Sequence, residues 1–185
     1  MRLFFGLSLP DEIRAQTHAL SQAAQACIPG RYAPECNHHL TLAFLGDVPP
    51  ERAAQATAVL ESCIKNHPAP RLALDGLDHF GRAENGILII RVKSDPPLDA
   101  LHERLLAALE EAQLPADRGP FSPHITLARH ACIRHALPKY PELAFSAAQA
   151  HVFLSARDEH NILRYTPIST CLFADTEELC RIFPD

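Results

Sequence analysis

Two short stretches of this sequence carry residue types that can move protons at a phosphoester. His39-Leu40-Thr41-Leu42-Ala43 and His124-Ile125-Thr126-Leu127-Ala128 repeat one pattern, His-x-Thr-Leu-Ala, 85 residues apart. A neutral imidazole can take a proton from attacking water, while an imidazolium can give one to a departing oxygen. With an unperturbed pKa of about 6.5, histidine serves in either role near neutral pH. Threonine hydroxyls can donate to the non-bridging oxygens of a phosphate, where charge is held in the transition state. Water is the nucleophile in such a scheme and no carboxylate cluster has metal-ligand spacing, so the expectation is a site with no metal ion and no cofactor.

Strand geometry decides which of these side chains can act together. If each motif is extended, His39 and Thr41 share one face about two strand rises (~6.6 Å) apart, while Leu40, Leu42 and Phe44 turn to the core. The second copy sets His124 and Thr126 against Ile125 and Leu127 in the same way. Strict alternation sends Arg129 to the other face, so a phosphate contact from it requires a β-bulge or a reach around the strand end. Arg31 and Tyr32, just ahead of the first motif, either flank the cleft and stack on a base or belong to a solvated loop. His38 falls opposite His39 and reads as structural; the other eight histidines read as surface residues.

The elements that must position these residues are legible in outline. Arg2–Leu9 reads as a strand; Pro10 with Asp11 and Glu12 then starts a helix with an acidic first turn and Ile13, Thr17, Leu20 and Ala24 on one face. After a turn at Pro29–Gly30, His38–Leu45 is a second strand, closed by Gly46. Asp47, Pro49 and Pro50 begin a helix to about Lys65, with Ala53, Ala56, Leu60 and Cys63 or Ile64 facing inward. Arg71–Leu77 and Ile87–Lys93 read as a hairpin around Gly81–Gly86. Ser94–Pro97 open a helix with Leu98, Leu101, Leu105 and Leu109 on one face. Pro115–Gly119 is a loop, and His124–Arg129, Phe145–Leu154 and Arg164–Phe173 are strands.

Three landmarks recur at nearly one offset: the strands at Leu3 and Ile87, the helix starts at Pro10 and Pro97, and the motif histidines His39 and His124. This implies a duplicated strand-helix-strand unit. Two copies are too few for a solenoid, so two lobes around a pseudo-two-fold axis are expected, with the matching strands meeting at a shared cleft. The fold class is α+β with mainly antiparallel sheets, and residues 1–185 are expected to form a single domain of two pseudo-symmetric lobes.

The paired motifs resemble the signature of the 2H phosphoesterase superfamily. Arg2-Leu3-Phe4-Phe5 with Leu9-Pro10, then Arg31 through Pro34 and Glu35 to His39–Gly46, and Pro123–Arg129 resemble its RNA 2′,3′-cyclic phosphodiesterase branch, also called 2′-5′ RNA ligase. The likeness runs from residue 2 to about 155. Ser122 stands where that branch usually has a charged or basic residue, and its closing pattern survives partly, as Ser155 and Tyr165. The resemblance implies opening of a nucleoside or RNA-end 2′,3′-cyclic phosphate to a 2′-phosphate. It implies His39 as proton donor to the leaving 3′ oxygen and His124 as proton acceptor from water; Thr41, Thr126 and Arg129 are the candidates for holding the phosphate. The residues alone leave the two histidine roles interchangeable. Rival readings are 2′-5′ ligation of RNA ends, another cyclic or 2′-5′ phosphodiester as substrate, and a nucleotide-binding or RNA-end-binding module without turnover.

Composition narrows the partners. The 185 residues are 47% hydrophobic and 21% charged, which excludes a disordered chain. A net charge of −5 argues against a long duplex held by counterion release, leaving RNA ends or nucleotides. No apolar run approaches the ~20 residues of a membrane span. The six cysteines are scattered without a Cys-x-x-Cys pair and read mostly as small buried hydrophobes in a reducing compartment. A cytoplasmic monomer is expected.

Overall fold

The computed structural model describes residues 1–93, 95–134, 137 and 142–174. Ser94 of the third helix start, His135 and Cys180 lie outside the described residues. In chain order the elements are β1 (Arg2–Ser8), α1 (Asp11–Gln25), β2 (Arg31–Tyr32), β3 (His39–Asp47), α2 (Ala53–Ile64), β4 (Arg71–Phe80) and β5 (Gly86–Lys93). Then follow α3 (Pro96–Glu111), β6 (His124–Ala131), β7 (Leu143–Ser146), β8 (Gln149–Arg157) and β9 (Leu163–Leu172).

The helices start where backbone chemistry favours it. Asp95 caps α3 by accepting from the Leu98 amide at 2.9 Å, with Pro96 in the first turn where no amide donor is needed. Leu98, Leu101, Leu105 and Leu109 are all fully buried, as their spacing predicts. In α1 the buried stripe is Ile13, Thr17, Ser21 and Ala24, and Leu20 packs against the core beside it, half-buried. The helix expected from Asp47 begins later, at Ala53, after a single 3₁₀ turn over Pro50–Arg52.

All the strands join one sheet, in the order β7-β4-β5-β6-β3-β1-β8-β9, with β2 paired to β6 off this path. Every named strand pair is antiparallel. The strands of the two copies of strand-helix-strand, β1 and β3 against β5 and β6, occupy opposite halves of the sheet, and the motif strands meet through one bridge, Leu40 opposite Ile125. The duplication is therefore one sheet with a narrow seam, and the seam is where the chemistry-bearing residues lie.

The sheet has two unlike faces. Leu3, Phe5, Leu7, Leu40, Leu42, Leu88, Ile90, Ile125 and Leu127 pack with the helices into one buried cluster. Each such fully buried side chain contributes about 1.5–3 kcal/mol relative to exposure. Phe4, Ile89 and Phe153 are also buried, yet they stand outside that cluster, on the face that carries His39 and His124.

The stretch Phe145–Leu154, expected as one strand, is two. β7 pairs with β4 at one edge of the sheet, and after Ala147 and Ala148 the chain enters β8 beside β1 in the other half. No glycine or proline marks the break, because both pieces are extended and the change of partner is purely tertiary. Cysteine burial also departs from expectation: Cys63 and Cys171 are buried, but Cys27 and Cys36 are exposed and Cys132 is half-buried. Two of the eight histidines expected at the surface, His67 and His151, are buried.

Candidate active site

The Leu40–Ile125 pairing sets His39 opposite Thr126 and Thr41 opposite His124, all on the face away from the helices. Both imidazoles are oriented in the same way by the backbone just ahead of their strands. His39 donates from Nδ1 to the Asn37 carbonyl at 2.7 Å, and His124 from Nδ1 to the Ser122 carbonyl at 2.8 Å. A carbonyl can only accept, so the bond fixes the tautomer and leaves Nε2 of each neutral ring as the working nitrogen. Thr41 Oγ1 lies 3.0 Å from His39 Nε2.

The surroundings of the two rings differ. His39 is walled by Phe4 at 4.8 Å, Tyr165 at 4.9 Å and Phe153 at 5.7 Å between ring centroids. Its pKa is lowered to about 4, chiefly by desolvation, with the charges of His124, His38 and Arg129 adding to the effect and the Asn37 bond opposing it. His124 meets Phe80 edge-on at 4.9 Å. Its pKa is also lowered, first by desolvation and then by Arg129. Arg129 is thus near enough for its charge to act on both rings.

Arg129 reaches this face because β6 is bulged. Leu88 pairs with Ala128 but Ile89 with Thr126, so Leu127 is an extra residue; Leu127 and Ala128 are both fully buried, and Arg129 turns out beside Ile87. The first motif has the same defect: Phe5 pairs with Ala43 and Gly6 with Thr41, leaving Leu42 extra, so Phe44 does not turn to the core as alternation predicts but takes the Arg129 position on the catalytic face. Each bulge leaves a carbonyl off the ladder, and each finds a partner. Leu42 O accepts from His102 Nδ1 at 2.8 Å, and Leu127 O from the Ala33 amide at 2.8 Å. The ring of His102 is in turn stacked on Phe121.

The family described as the 2′-5′ RNA ligase superfamily matches residues 9–159. The chain belongs to this superfamily. Like it in sequence is the RNA 2′,3′-cyclic phosphodiesterase of Escherichia coli (strain K12), 34% identical over 176 residues, a match covering 90% of this chain and 93% of that protein. The protein of that name from Geobacillus stearothermophilus is 34% identical over 128 residues, 68% of this chain; the match takes in 41% of the longer Geobacillus protein. In structure E. coli LigT, solved with 3′-AMP, aligns with a TM-score of 0.79 at 27% identity, covering 94% of this chain and 98% of that one. This structural match bears out the α+β, mainly antiparallel fold expected from the sequence.

For this superfamily member, all five site residues named from sequence, His39, Thr41, His124, Thr126 and Arg129, come together on one face. His38 lies away from them, 3% exposed, with Nδ1 bonded to Thr17 Oγ1 at 3.0 Å; burial lowers its pKa to about 4. Sequence reading did not assign the aromatic walls or the cavity of about 410 Å³ beside His39, whose lining includes Ser8, Arg14, Cys36, His151, Tyr165 and Pro167. Alternation in β1 carries a signal for one wall, because Phe4, Gly6 and Ser8 fall on the His39 face. Nothing local marks Tyr165 or His151, which come from the far end of the chain.

Proposed function

We propose that this chain is a phosphodiesterase that opens RNA or nucleoside 2′,3′-cyclic phosphate ends to 2′-phosphates by paired histidine acid–base catalysis. The observation that carries this reading is the matched pair of imidazoles. Each has its Nδ1–H tied to a carbonyl two residues back, so Nε2 is the working nitrogen of both, with Thr41 Oγ1 at His39 Nε2 and the charge of Arg129 acting on both rings. The names of the relatives point to the same reaction.

In this scheme water attacks phosphorus as His124 Nε2 takes its proton. The bond from phosphorus to the 3′ oxygen breaks, and His39, holding its proton on Nε2, delivers it to that oxygen. The products are a 2′-phosphomonoester and a free 3′-hydroxyl. Thr41, Thr126 and Arg129 donate to the non-bridging oxygens, where a guanidinium fork suits two oxygens at once. The cavity beside His39, edged by Tyr165, has the size of a nucleoside pocket. Structures of E. coli LigT hold 3′-AMP, ATP, NADP+ or phosphate, ligands of this chemical class. The family description also favours the reverse reaction, joining an RNA 5′-hydroxyl to the cyclic phosphate with the histidine roles exchanged.

Among the described residues no helix is long and apolar enough to cross a membrane, and the described cysteines are free. That cysteine usage is in keeping with a reducing compartment such as the cytoplasm.

Incubating the protein with 2′,3′-cyclic AMP in EDTA, with the isomeric monophosphates resolved, tests the proposal. A 2′-phosphate product is expected from the parent, falling about 10²- to 10⁴-fold in His39→Ala and in His124→Ala. A folded parent yielding no product, or losing activity to chelator, counts against it.

A further inference from the structure

We propose that Arg31 is a second phosphate contact. It takes the phosphodiester on the 5′ side of the terminal nucleoside, while Arg129 takes the reacting phosphate. The preferred substrate is then an oligonucleotide end and not a cyclic mononucleotide. The inference rests on the reading of the catalytic site given above.

Beyond the single Leu40–Ile125 bridge, the place beside β6 is filled by the two-residue strand β2. Arg31 stands directly opposite Arg129, and Tyr32 opposite Ala128. Directly opposed residues of an antiparallel pair share a face, with Cβ atoms about 4.5–5.5 Å apart. Tyr32 packs against the core cluster and Ala128 is fully buried, so Arg31 and Arg129 both emerge on the catalytic face. Both are exposed.

Like charges directly opposed across a ladder are destabilising. Four other arginines meet carboxylates, Arg14 with Asp11, Arg91 with Asp78, Arg118 with Glu110 and Arg164 with Asp158, and Arg52, Arg104 and Arg157 bond backbone carbonyls. Among the described residues neither the Arg31 nor the Arg129 guanidinium makes a hydrogen bond or ion pair. Two unpaired forks held side by side, one at the catalytic histidines and one a strand further out, suit successive phosphates of one chain. A protein with a net charge of −5 gains most from such a local cluster.

The test measures kcat/KM of the parent, Arg31→Ala and Arg31→Lys on 2′,3′-cyclic AMP and on ApApA ending in a 2′,3′-cyclic phosphate, at about 50 and about 200 mM salt. In Arg31→Ala the ratio of trinucleotide to mononucleotide kcat/KM is expected to fall about 10-fold. The salt slope on the trinucleotide becomes shallower by about 0.7. Arg31→Lys restores part of the loss, having the charge without the fork. Removing the like-charge contact leaves the Tm of Arg31→Ala at or above that of the parent. Equal losses on both substrates, an unchanged ratio, or a Tm several degrees lower would each overturn the assignment. A parent inactive on both substrates defeats the catalytic reading instead. Fluorescence anisotropy with labelled, 2′-phosphorylated ApApA then decides on Arg31, with about 10-fold weaker binding by the variant supporting it and equal binding overturning it.

Discussion

At the residue scale, the two histidines are prepared as bases before they are prepared as an acid. Their Nδ1 bonds and their burial both favour the neutral ring, and His39 holds a pKa of about 4 against its ordinary 6.5. A mechanism that needs one ring protonated therefore finds little of that form in the free protein at pH 7. A bound phosphate changes the balance, because its negative charge stabilises the imidazolium beside it. The pH dependence should separate these states: kcat/KM, which reports the free protein, is expected to peak on the acidic side, between about 4 and 6.5. The optimum of kcat, which reports the complex, lies at higher pH. Initial rates from pH 4 to 9 check this, and a kcat/KM that climbs without a maximum to pH 9 would rule out proton donation by either imidazole.

At the scale of elements, the site depends on how closely β1 and β3 approach under His39. Gly6 lies on the catalytic face opposite Thr41, and a Cβ there would sit 3.0 Å from Leu40 O, 3.3 Å from Phe153 Cε2 and 3.4 Å from His39 Cδ2. The first contact is backbone and cannot swing away. Gly6→Ala is expected to destabilise the fold by about 1–3 kcal/mol and to lower kcat by displacing the His39 ring, measured by urea unfolding and initial rates. A variant with parental stability and rate would show that β1 has slack the packing does not suggest. The paired bulges act at the same scale. They convert a two-residue alternation into one that returns Phe44 and Arg129 to the catalytic face, which is why the two halves share a backbone yet present different chemistry.

For the whole molecule, burying several neutral histidines links stability to pH. His38 and His39 have folded pKa values of about 4, and those of His124 and His151 are also lowered, against about 6.5 unfolded. Above about pH 6.5 neither state holds these protons and stability is full. As pH falls toward about 4 the unfolded chain takes up protons that the folded one refuses, so stability is lost through this window. His38 and His39 together imply a slope on the order of 2–3 kcal/mol per pH unit. Urea denaturation at steps between pH 7.5 and pH 4.5 measures it, and equal stability at pH 7 and pH 5 would contradict the burial of these rings as neutral groups.

Much of this architecture was legible because its signals are local. Alternation placed His39 with Thr41 and His124 with Thr126, leucine spacing placed α3, and the repeated pattern announced two equivalent halves. Wherever a residue's neighbours come from remote chain, sequence spacing carries no such signal. The break between β7 and β8, the β2 strand that sets Arg31 against Arg129, the walls supplied by Phe153 and Tyr165, and the buried His151 were all decided by tertiary pairing. Arg129 shows the division most clearly. Strict alternation assigns it to the wrong face, and only the bulge at Leu127 turns it toward the histidines, because a single extra residue reverses every side chain that follows.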